Sequence, residues 1–206
     1  MSPATDPTDP TTRDRILDAA HEVFTRRGTA GARTQEIADE AGVNKALLHY
    51  YFGSKAELAD AVFERAATGF FPALFGVVAS PAAIPEKVRR VVEVYLDMLG
   101  RHPYLLPYLV GELQAHPERI KKIISARGPA PVAVLQRQLD DEAAAGRLRP
   151  IRAEHFMMNL VSLIGFPFVF RPAIQELLRA DDGRLAELMD ERRRVIPEFF
   201  LNALRP

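Results

Sequence analysis

Apolar residues recur every three or four positions along most of the chain, which is the spacing of one face of an α-helix. A clear case is the set Val88, Val91, Val92, Tyr95 and Leu99, which would form one continuous stripe on a helix. No stretch alternates apolar and polar residues as a half-buried strand does, and no internal repeat occurs. The pattern therefore predicts an all-α fold of about nine helices.

Capping residues, glycines and prolines set the predicted limits of these helices. The first is expected over residues 13–27, opened by a capping-box-like Thr11 and closed by Gly28. Ser54, with Glu57 three residues later, should cap a long helix that runs to about residue 72. The next helix is expected after a loop over residues 80–85 and carries the stripe from Val88 to Leu99. Later helices are expected around Pro103 and Pro107, over 118–124, from after Pro131 to Gly146, from about 153 with bends at Pro167 and Pro172, and over 182–204.

The stretch from residue 42 to residue 55 has the features of a helix-turn-helix. Gly42 suits the left-handed position that ends one helix, and Asn44 is a good N-cap for the next. Leu48 and Phe52 share one face of the second helix, which predicts that both are buried. The opposite face is cationic, aromatic and hydrogen-bonding, and carries Lys45, Ala46, His49 and Tyr50. Such a face suits DNA better than a protein core.

Residues 12–64 resemble the DNA-binding domain of the tetracycline-repressor (TetR) family of transcriptional regulators. The matching residues are Ile16, Leu17, Ala19, Ala20, Phe24, Gly28, Thr34, Ile37, Ala38, Ala41, Gly42, Val43, Tyr50, Tyr51, Phe52, Ser54, Lys55 and Leu58. The resemblance implies a DNA-binding domain over residues 11–56 and a helical ligand-binding and dimerisation domain over 57–206. Leu47 replaces a small polar residue of the family and His49 replaces tyrosine, so no operator sequence can be carried over.

The predicted DNA-contacting residues lie at the start of the second helix and along the third. They are Thr34, Gln35, Asn44, Lys45, Ala46, Leu47, His49, Tyr50, Tyr51 and Lys55. The resemblance implies that Thr34 donates to a phosphate, whereas its simpler role is that of a helix N-cap. Leu47 either packs inside the domain or touches a thymine methyl group. Tyr50 and Tyr51 are adjacent on a helix and cannot both face the core, so at least one should be exposed.

The second half of the chain is rich in aromatic residues and methionine, side chains that commonly line adaptable apolar cavities. For any single residue, plain core packing is the simpler explanation. The resemblance implies a small-molecule pocket among these helices, without a Lys, Arg, Asp or Glu in its predicted lining. The predicted ligand-binding residues are Phe70, Phe71, Phe75, Tyr95, Met98, Tyr104, Tyr108, Gln114, Phe156, Asn159 and Phe166.

The two C-terminal predicted helices carry more apolar side chains than one subunit would bury. The resemblance implies that they pack against the same helices of a second copy, which gives a homodimer. The predicted interface residues are Phe170, Ile174, Leu178, Leu185, Leu188, Met189, Val195, Ile196, Phe199 and Phe200.

Composition narrows the possible chemistry further. The chain has no cysteine, which excludes disulfides and thiolate chemistry, and its five histidines show no metal-binding spacing. We therefore expect no metal, no cofactor and no enzymatic activity. Residues 1–10 lack basic residues and are predicted to be disordered. No apolar run has the length of a membrane span, so we expect a cytoplasmic protein.

The charge balance argues weakly against DNA binding, because formal net charge is zero and residues 1–55 hold seven basic and eight acidic residues. Binding would therefore depend on where individual cations lie. The interpretation that fits best is a repressor released from a palindromic operator by a small apolar or aromatic ligand. The alternatives are a DNA-binding regulator that responds to no ligand, and an enzyme or binding protein that carries a helix-turn-helix. The sequence does not distinguish repression from activation.

Overall fold

The computed structural model describes residues 10–119, 121 and 131–206, without the side chains of residues 10 and 11. Its described residues form ten helices and no strand, which confirms the predicted all-α fold. The helices are α1 (Pro10–Gly31), α2 (Thr34–Ala41), α3 (Lys45–Phe52), α4 (Lys55–Ala79), α5 (Ile84–Arg101), α6 (Leu105–Ala115), α7 (Val132–Ala144), α8 (Ala153–Val169), α9 (Arg171–Leu178) and α10 (Asp182–Ala203).

The first helix differs from its prediction at its start. It begins at Pro10, so Thr11 lies within α1 and the capping role predicted for Thr11 is wrong. Proline at the first helical position has a favourable φ and needs no N–H there, which explains the earlier start. Gly28 interrupts the helix with φ 67° and ψ 159°, at the residue predicted to end it. The rest of the N-terminus predicted to be disordered, residues 1–9, lies outside the described residues, as does most of the helix predicted over 118–124.

The helix predicted from residue 153 onward is in fact two, α8 and α9, which meet at an angle of 75° at Phe170. Pro167 lies buried within α8 and does not end it. Pro172 lies in the first turn of α9, and because it has no N–H it cannot extend the hydrogen-bond ladder of α8. The predicted interruption is therefore present at the second proline, whereas the helix continues through the first.

The described residues form two compact units, each with its own core. The first contains the described residues of Met1–Thr68 and Pro107–Ile123. Its centre is formed by Ile16, Phe24, Ile37, Leu48 and Leu58, none more than 2% exposed. In this unit, the guanidinium of Arg119 lies among carboxylates: it pairs with Glu112 and, at 2.8 Å, with Asp60 of α4.

The second unit contains the described residues of Gly69–Leu106 and Ile124–Pro206. Its central helix is α5, which packs against α10 and α8 and buries the predicted stripe from Val88 to Leu99. Phe156 and Phe200 meet edge to face, with ring centroids 5.0 Å apart. The two units divide inside α4 and inside α6, and the predicted domains over residues 11–56 and 57–206 stay a prediction.

Length and composition alone would allow α4 to cross a membrane, since its most apolar stretch has a mean hydropathy of 1.3. The α8–α9 pair passes the same test only if it is counted as one sharply bent span. Helices in the core of proteins that never enter a membrane commonly pass as well, so this is weak support for a membrane location. Phe70 on α4 and Phe156 on α8 are both buried within the chain.

Candidate nucleic-acid interface and apolar face

The turn between α2 and α3 is fixed by backbone hydrogen bonds and one side chain. Gly42 adopts the left-handed conformation, with φ 65° and ψ 36°. Its N–H donates to the backbone carbonyl of Asp39, and the N–H of Val43 donates to the carbonyl of Ala38 at 2.9 Å. Together these two bonds make a Schellman motif. The Oδ1 of Asn44 then accepts from the N–H of Leu47 at 2.7 Å and caps α3. Both predicted turn residues, Gly42 and Asn44, are confirmed in these roles.

Helix α3 has one buried and one exposed face, as the spacing of its residues predicted. Leu48 and Phe52 point into the first unit, and Arg13 of α1 lies over the Phe52 ring at 5.1 Å from its centroid. The opposite face is exposed, and Tyr50 is 67% exposed. The other exposed residues of this face are Lys45, Ala46 and His49. We call these four residues the α3 outer face.

The remaining predicted residues of α3 lie between these faces. Leu47 and Tyr51 are half-buried, and the Tyr51 ring meets Tyr50 edge to face with centroids 5.6 Å apart. The Nδ1 of His49 lies 2.7 Å from the carbonyl oxygen of Gly53. Because a carbonyl can only accept, this nitrogen carries the proton, and the Nε2 of the neutral ring is left as an acceptor. His49 can therefore accept a hydrogen bond from a base edge while its ring is held by the helix end.

Gln35 and Lys55, predicted on either side of α3, already have partners within the first unit. Thr34 is the first residue of α2 and Arg33 is its N-cap, so the N-cap role considered for Thr34 is wrong. The Gln35 amide donates to Asp39 at 2.8 Å. The Nζ of Lys55 donates to the carbonyls of Ala30 and Ala32 at 3.3 and 3.0 Å. Lys55 thus holds the segment before α2.

Ion pairs between α1 and α2 neutralise two of the acidic side chains of α2. Arg26 pairs with Glu40 at 2.9 Å, and Arg27 pairs with Glu36 at 2.7 Å. The hydrogen bond to Glu40 raises the pKa of Arg26. Within the described part of the chain, Lys45 forms no ion pair, so its charge is available to a phosphate or a base. The local arrangement, and not the net charge, makes this surface suitable for DNA.

The residues predicted to bind a ligand do not gather at one place. Phe70, Phe71, Phe75 and Tyr95 form one aromatic cluster, in which the Phe70 and Tyr95 rings lie 4.6 Å apart. The Tyr95 hydroxyl donates to the Phe70 carbonyl at 3.2 Å, and burial raises its pKa.

The other predicted ligand-binding residues are dispersed. Tyr108 and Gln114 belong to the first unit, where Tyr108 is buried beside His21 and Gln114 is exposed. In the second unit Met98 is half-buried and Tyr104 is 51% exposed. Phe156 packs in the core, whereas Asn159 and Phe166 line an open groove. The ligand site stays a prediction.

That open groove has a volume of about 980 Å³ and lies between α8, α9 and α10. Most residues of the predicted dimer interface line it, namely Ile174, Leu178, Leu185, Leu188, Met189, Val195, Phe199 and Phe200. Phe170 is half exposed beside it and stacks on Phe166 at 4.7 Å, while Ile196 is buried in the core of its own chain. Large apolar side chains are uncovered here in the single chain: Leu177 is 81% exposed and Phe199 is 62% exposed. We call this surface the α8–α10 apolar face.

Sequence reasoning missed one buried cation in the second unit, Lys87 of α5. It lies three residues after Ile84 and four before Val91, so it is on the apolar stripe of α5. A charged residue at such a position was the signal that could have identified it. Burial lowers the pKa of its ammonium group.

Comparison with known proteins agrees with this geometry. The profile of the family described as "Bacterial regulatory proteins, tetR family" matches residues 16–62, which include α2 and α3. The chain is 30% identical over 174 residues to the HTH-type transcriptional repressor NicS of Pseudomonas putida, and the match covers 82% of each protein.

Solved structures with the same fold extend over nearly the whole chain. PfmR, a TetR family regulator from Thermus thermophilus, has a TM-score of 0.66 at 23% identity and covers 90% of this chain and 98% of its own. FadR from Bacillus subtilis, solved in complex with stearoyl-CoA, has a TM-score of 0.63 at 17% identity and covers 93% and 99%. At these identities the likeness concerns the fold alone. With the family profile and the match to NicS, the chain belongs to the TetR family of bacterial regulatory proteins and is a transcriptional regulator, not an enzyme.

Proposed function

We propose that the protein is a homodimeric repressor that binds a palindromic operator and is released from it by a small ligand. The observation that carries the proposal is the exposed α3 outer face on a helix whose start is fixed by Gly42 and Asn44. A recognition helix needs this combination, because the base-contacting side chains must be free while the backbone is held. Regulation of transcription takes place on the chromosome, so the proposed location is the cytoplasm.

Two copies of α3 would enter successive major grooves, roughly 34–36 Å apart, of a site with two-fold symmetry. Lys45 and Tyr50 are the residues we assign to base edges or phosphates, with His49 accepting from a base. Thr34, Gln35, Asn44, Ala46, Leu47, Tyr51 and Lys55 complete the proposed contact surface.

The α8–α10 apolar face supports the dimer. A contiguous exposed apolar surface marks an interaction site in soluble proteins. Each square ångström of it that is buried contributes about 25 cal/mol of favourable free energy. A second copy of the same face would cover Leu177, Leu178 and Phe199 in a self-complementary, two-fold interface. The two-fold axis of that interface is the symmetry that a palindromic operator requires.

Release by a ligand would act through α4, which is one continuous helix from Lys55 to Ala79. Its first turn follows α3, and its later turns carry Phe70, Phe71 and Phe75. A ligand that packs on these rings and prefers one position of α4 would change the separation of the two recognition helices. A ligand shifts such an equilibrium only through its different affinity for the two states. Coupling of about 3 kcal/mol, roughly 150-fold, suffices for a switch and must be reciprocal.

Repression, as opposed to activation, is supported by NicS, which is itself described as a repressor. A gel-shift titration of the protein on the DNA upstream of its own gene tests operator binding. The same titration across a panel of hydrophobic compounds, paired with calorimetry on the free dimer, tests release. Compounds that bind the dimer without changing operator affinity would favour a regulator that responds to no ligand.

A further inference from the structure

The most unusual group of the second unit is the ammonium of Lys87. The side chain is only 2% exposed, although lysine is almost never fully buried unless it is paired with a carboxylate. Its Nζ donates at 2.5 Å to the carbonyl of Val78 in the last turn of α4 and at 2.5 Å to the Oε1 of Gln138 on α7. Both acceptors are neutral. Within the described part of the chain, no carboxylate pairs with this cation.

Part of this arrangement has a structural purpose. The carbonyls of the last helical turn lack partners within the helix, and a cation near a helix C-terminus is favourable. Lys87 therefore closes the end of α4. An ammonium has three N–H donors, however, and two acceptors leave the third without one among the described residues. A neutral Gln or a shorter polar residue would close the helix without burying a charge.

Lys87 also lies at the edge of a small internal void between α4, α5, α7 and α8. The rest of its lining is apolar: Leu74, Val78, Val91, Leu135, Phe156, Met157, Leu160 and Val161. The void measures about 10 Å³, so a ligand has to move side chains in order to enter. Met157 is unbranched and half-buried, and it is a side chain that can move at low cost.

We propose that the effector is an apolar molecule that carries one carboxylate, and that this carboxylate pairs with Lys87 when the void opens. The inference deepens the proposed ligand-released repressor and rests on it, but it places the ligand against Leu74 and Val78 of α4 and not on the Phe70, Phe71 and Phe75 rings. A carboxylate would supply the missing acceptor and the missing counter-charge together, while the apolar lining would hold the remainder of the molecule. A neutral ligand of the same shape would leave the third donor unpaired and the cation uncompensated.

The test compares octanoate with two neutral probes of the same chain, 1-octanol and methyl octanoate, by isothermal titration calorimetry on the purified dimer. The wild type is expected to bind octanoate about ten- to hundredfold more tightly than either neutral probe, the range of a charge-assisted hydrogen bond. Lys87→Met keeps an unbranched apolar chain of similar length and should lose this preference. Lys121→Met, at an exposed lysine, is the matched control and should keep it.

Circular dichroism and operator affinity without ligand establish whether the Lys87→Met protein is folded. If it is not, Lys87→Arg replaces it; this variant retains the cation and should retain the preference for octanoate. Equal affinity of the wild type for octanoate and the neutral probes would overturn the inference without any variant. A preference that persists in folded Lys87→Met would overturn it as well, and would leave Lys87 as the cap of α4 alone.

Failure of this inference is distinguishable from failure of the proposed function. If neutral compounds release the operator and octanoate shows no dependence on Lys87, the repressor stands and the assignment of Lys87 is wrong. If octanoate binds through Lys87 but leaves operator affinity unchanged, the site stands and release by this ligand class is wrong.

Discussion

The α3 outer face and the α8–α10 apolar face are both exposed helix surfaces, but water solvates the first much better than the second. Tyr50 is 67% exposed, but its hydroxyl and the ammonium of the exposed Lys45 can hydrogen-bond to solvent. Leu177 and Phe199 are 81% and 62% exposed and offer water only hydrocarbon. The first surface is therefore stable without its partner, whereas exposure of the second to water is unfavourable until another surface covers it.

This difference indicates two kinds of partner. A surface that is stable in water can bind its partner and release it again. Its affinity for DNA then depends on salt concentration and DNA sequence, as a regulator requires. A large apolar face favours a partner that stays, because each separation exposes it again. The dimer is thus expected to form without DNA, and operator binding is expected to depend on the dimer.

The largest expected effect comes from a charge on the apolar face. Phe199→Asp places an unpaired carboxylate at the proposed interface, which costs about 3–5 kcal/mol when buried. Because Phe199 is exposed in the single chain, the subunit itself should still fold. Sedimentation velocity at micromolar concentration should give a dimer for the wild type and a monomer for the variant, with loss of tight operator binding.

Val94→Asp is the matched control for this experiment. Val94 is an exposed apolar residue of the same unit, on α5 and outside the lining of the groove. The control should remain a dimer. A wild-type protein that sediments as a monomer, or a Phe199→Asp protein that sediments as a dimer, would show that the apolar face is not the interface.

The next effect concerns the α3 outer face. Lys45→Ala and Tyr50→Ala should each weaken operator binding by about 1–3 kcal/mol if they contact bases. Neither residue has a role in the core, so the unfolding transition should not change. Fluorescence anisotropy with labelled operator measures the affinity, and Lys121→Ala provides a lysine control elsewhere on the surface. Unchanged operator affinity in the folded double variant would mean that α3 is not the recognition helix.

The two regions also differ in how far the sequence predicted them. Gly42 as a helix end, Asn44 as a cap and the Ser54–Glu57 capping box depend on hydrogen bonds between residues within five positions of each other. Such interactions are visible in a sequence as spacing. The all-α fold and the two faces of α3 follow from periodicity in the same way.

The ligand site depends on contacts between distant parts of the chain. Aromatic content indicated an apolar interior but not which rings would meet, and Tyr108 and Tyr95 belong to different units. Lys87 finds its partner Gln138 51 residues away, so no local pattern could identify that contact. The dimer residues are an intermediate case: their apolar excess was apparent, yet Ile196 proved to be buried in its own subunit.

A third prediction tests whether the left-handed backbone at Gly42 requires glycine for stability. Gly42→Ala puts a side chain at φ 65°, which costs about 1–2 kcal/mol, and its Cβ would lie 3.2 Å from the Arg15 guanidinium. Urea unfolding should show that loss. Gly76→Ala is the control, because Gly76 is exposed in α4 with nothing within 4 Å of a new Cβ. That control should be more stable than the wild type, by roughly 0.5–1 kcal/mol. A Gly42→Ala protein as stable as the wild type would contradict the assigned strain.

The smallest effect expected is that of Lys55, and it separates the two roles open to this residue. Its ammonium donates to the carbonyls of Ala30 and Ala32 and still carries a positive charge at a half-exposed position beside α3. If that charge also neutralises a phosphate, Lys55→Ala should weaken operator and non-operator DNA by the same factor. The slope of log affinity against log salt should then become shallower by about one. Anisotropy titrations at several salt concentrations on both DNAs measure this. An unchanged slope with a lower free energy of unfolding would limit Lys55 to holding the segment before α2, because a cation that released no counterion on binding contacts no phosphate.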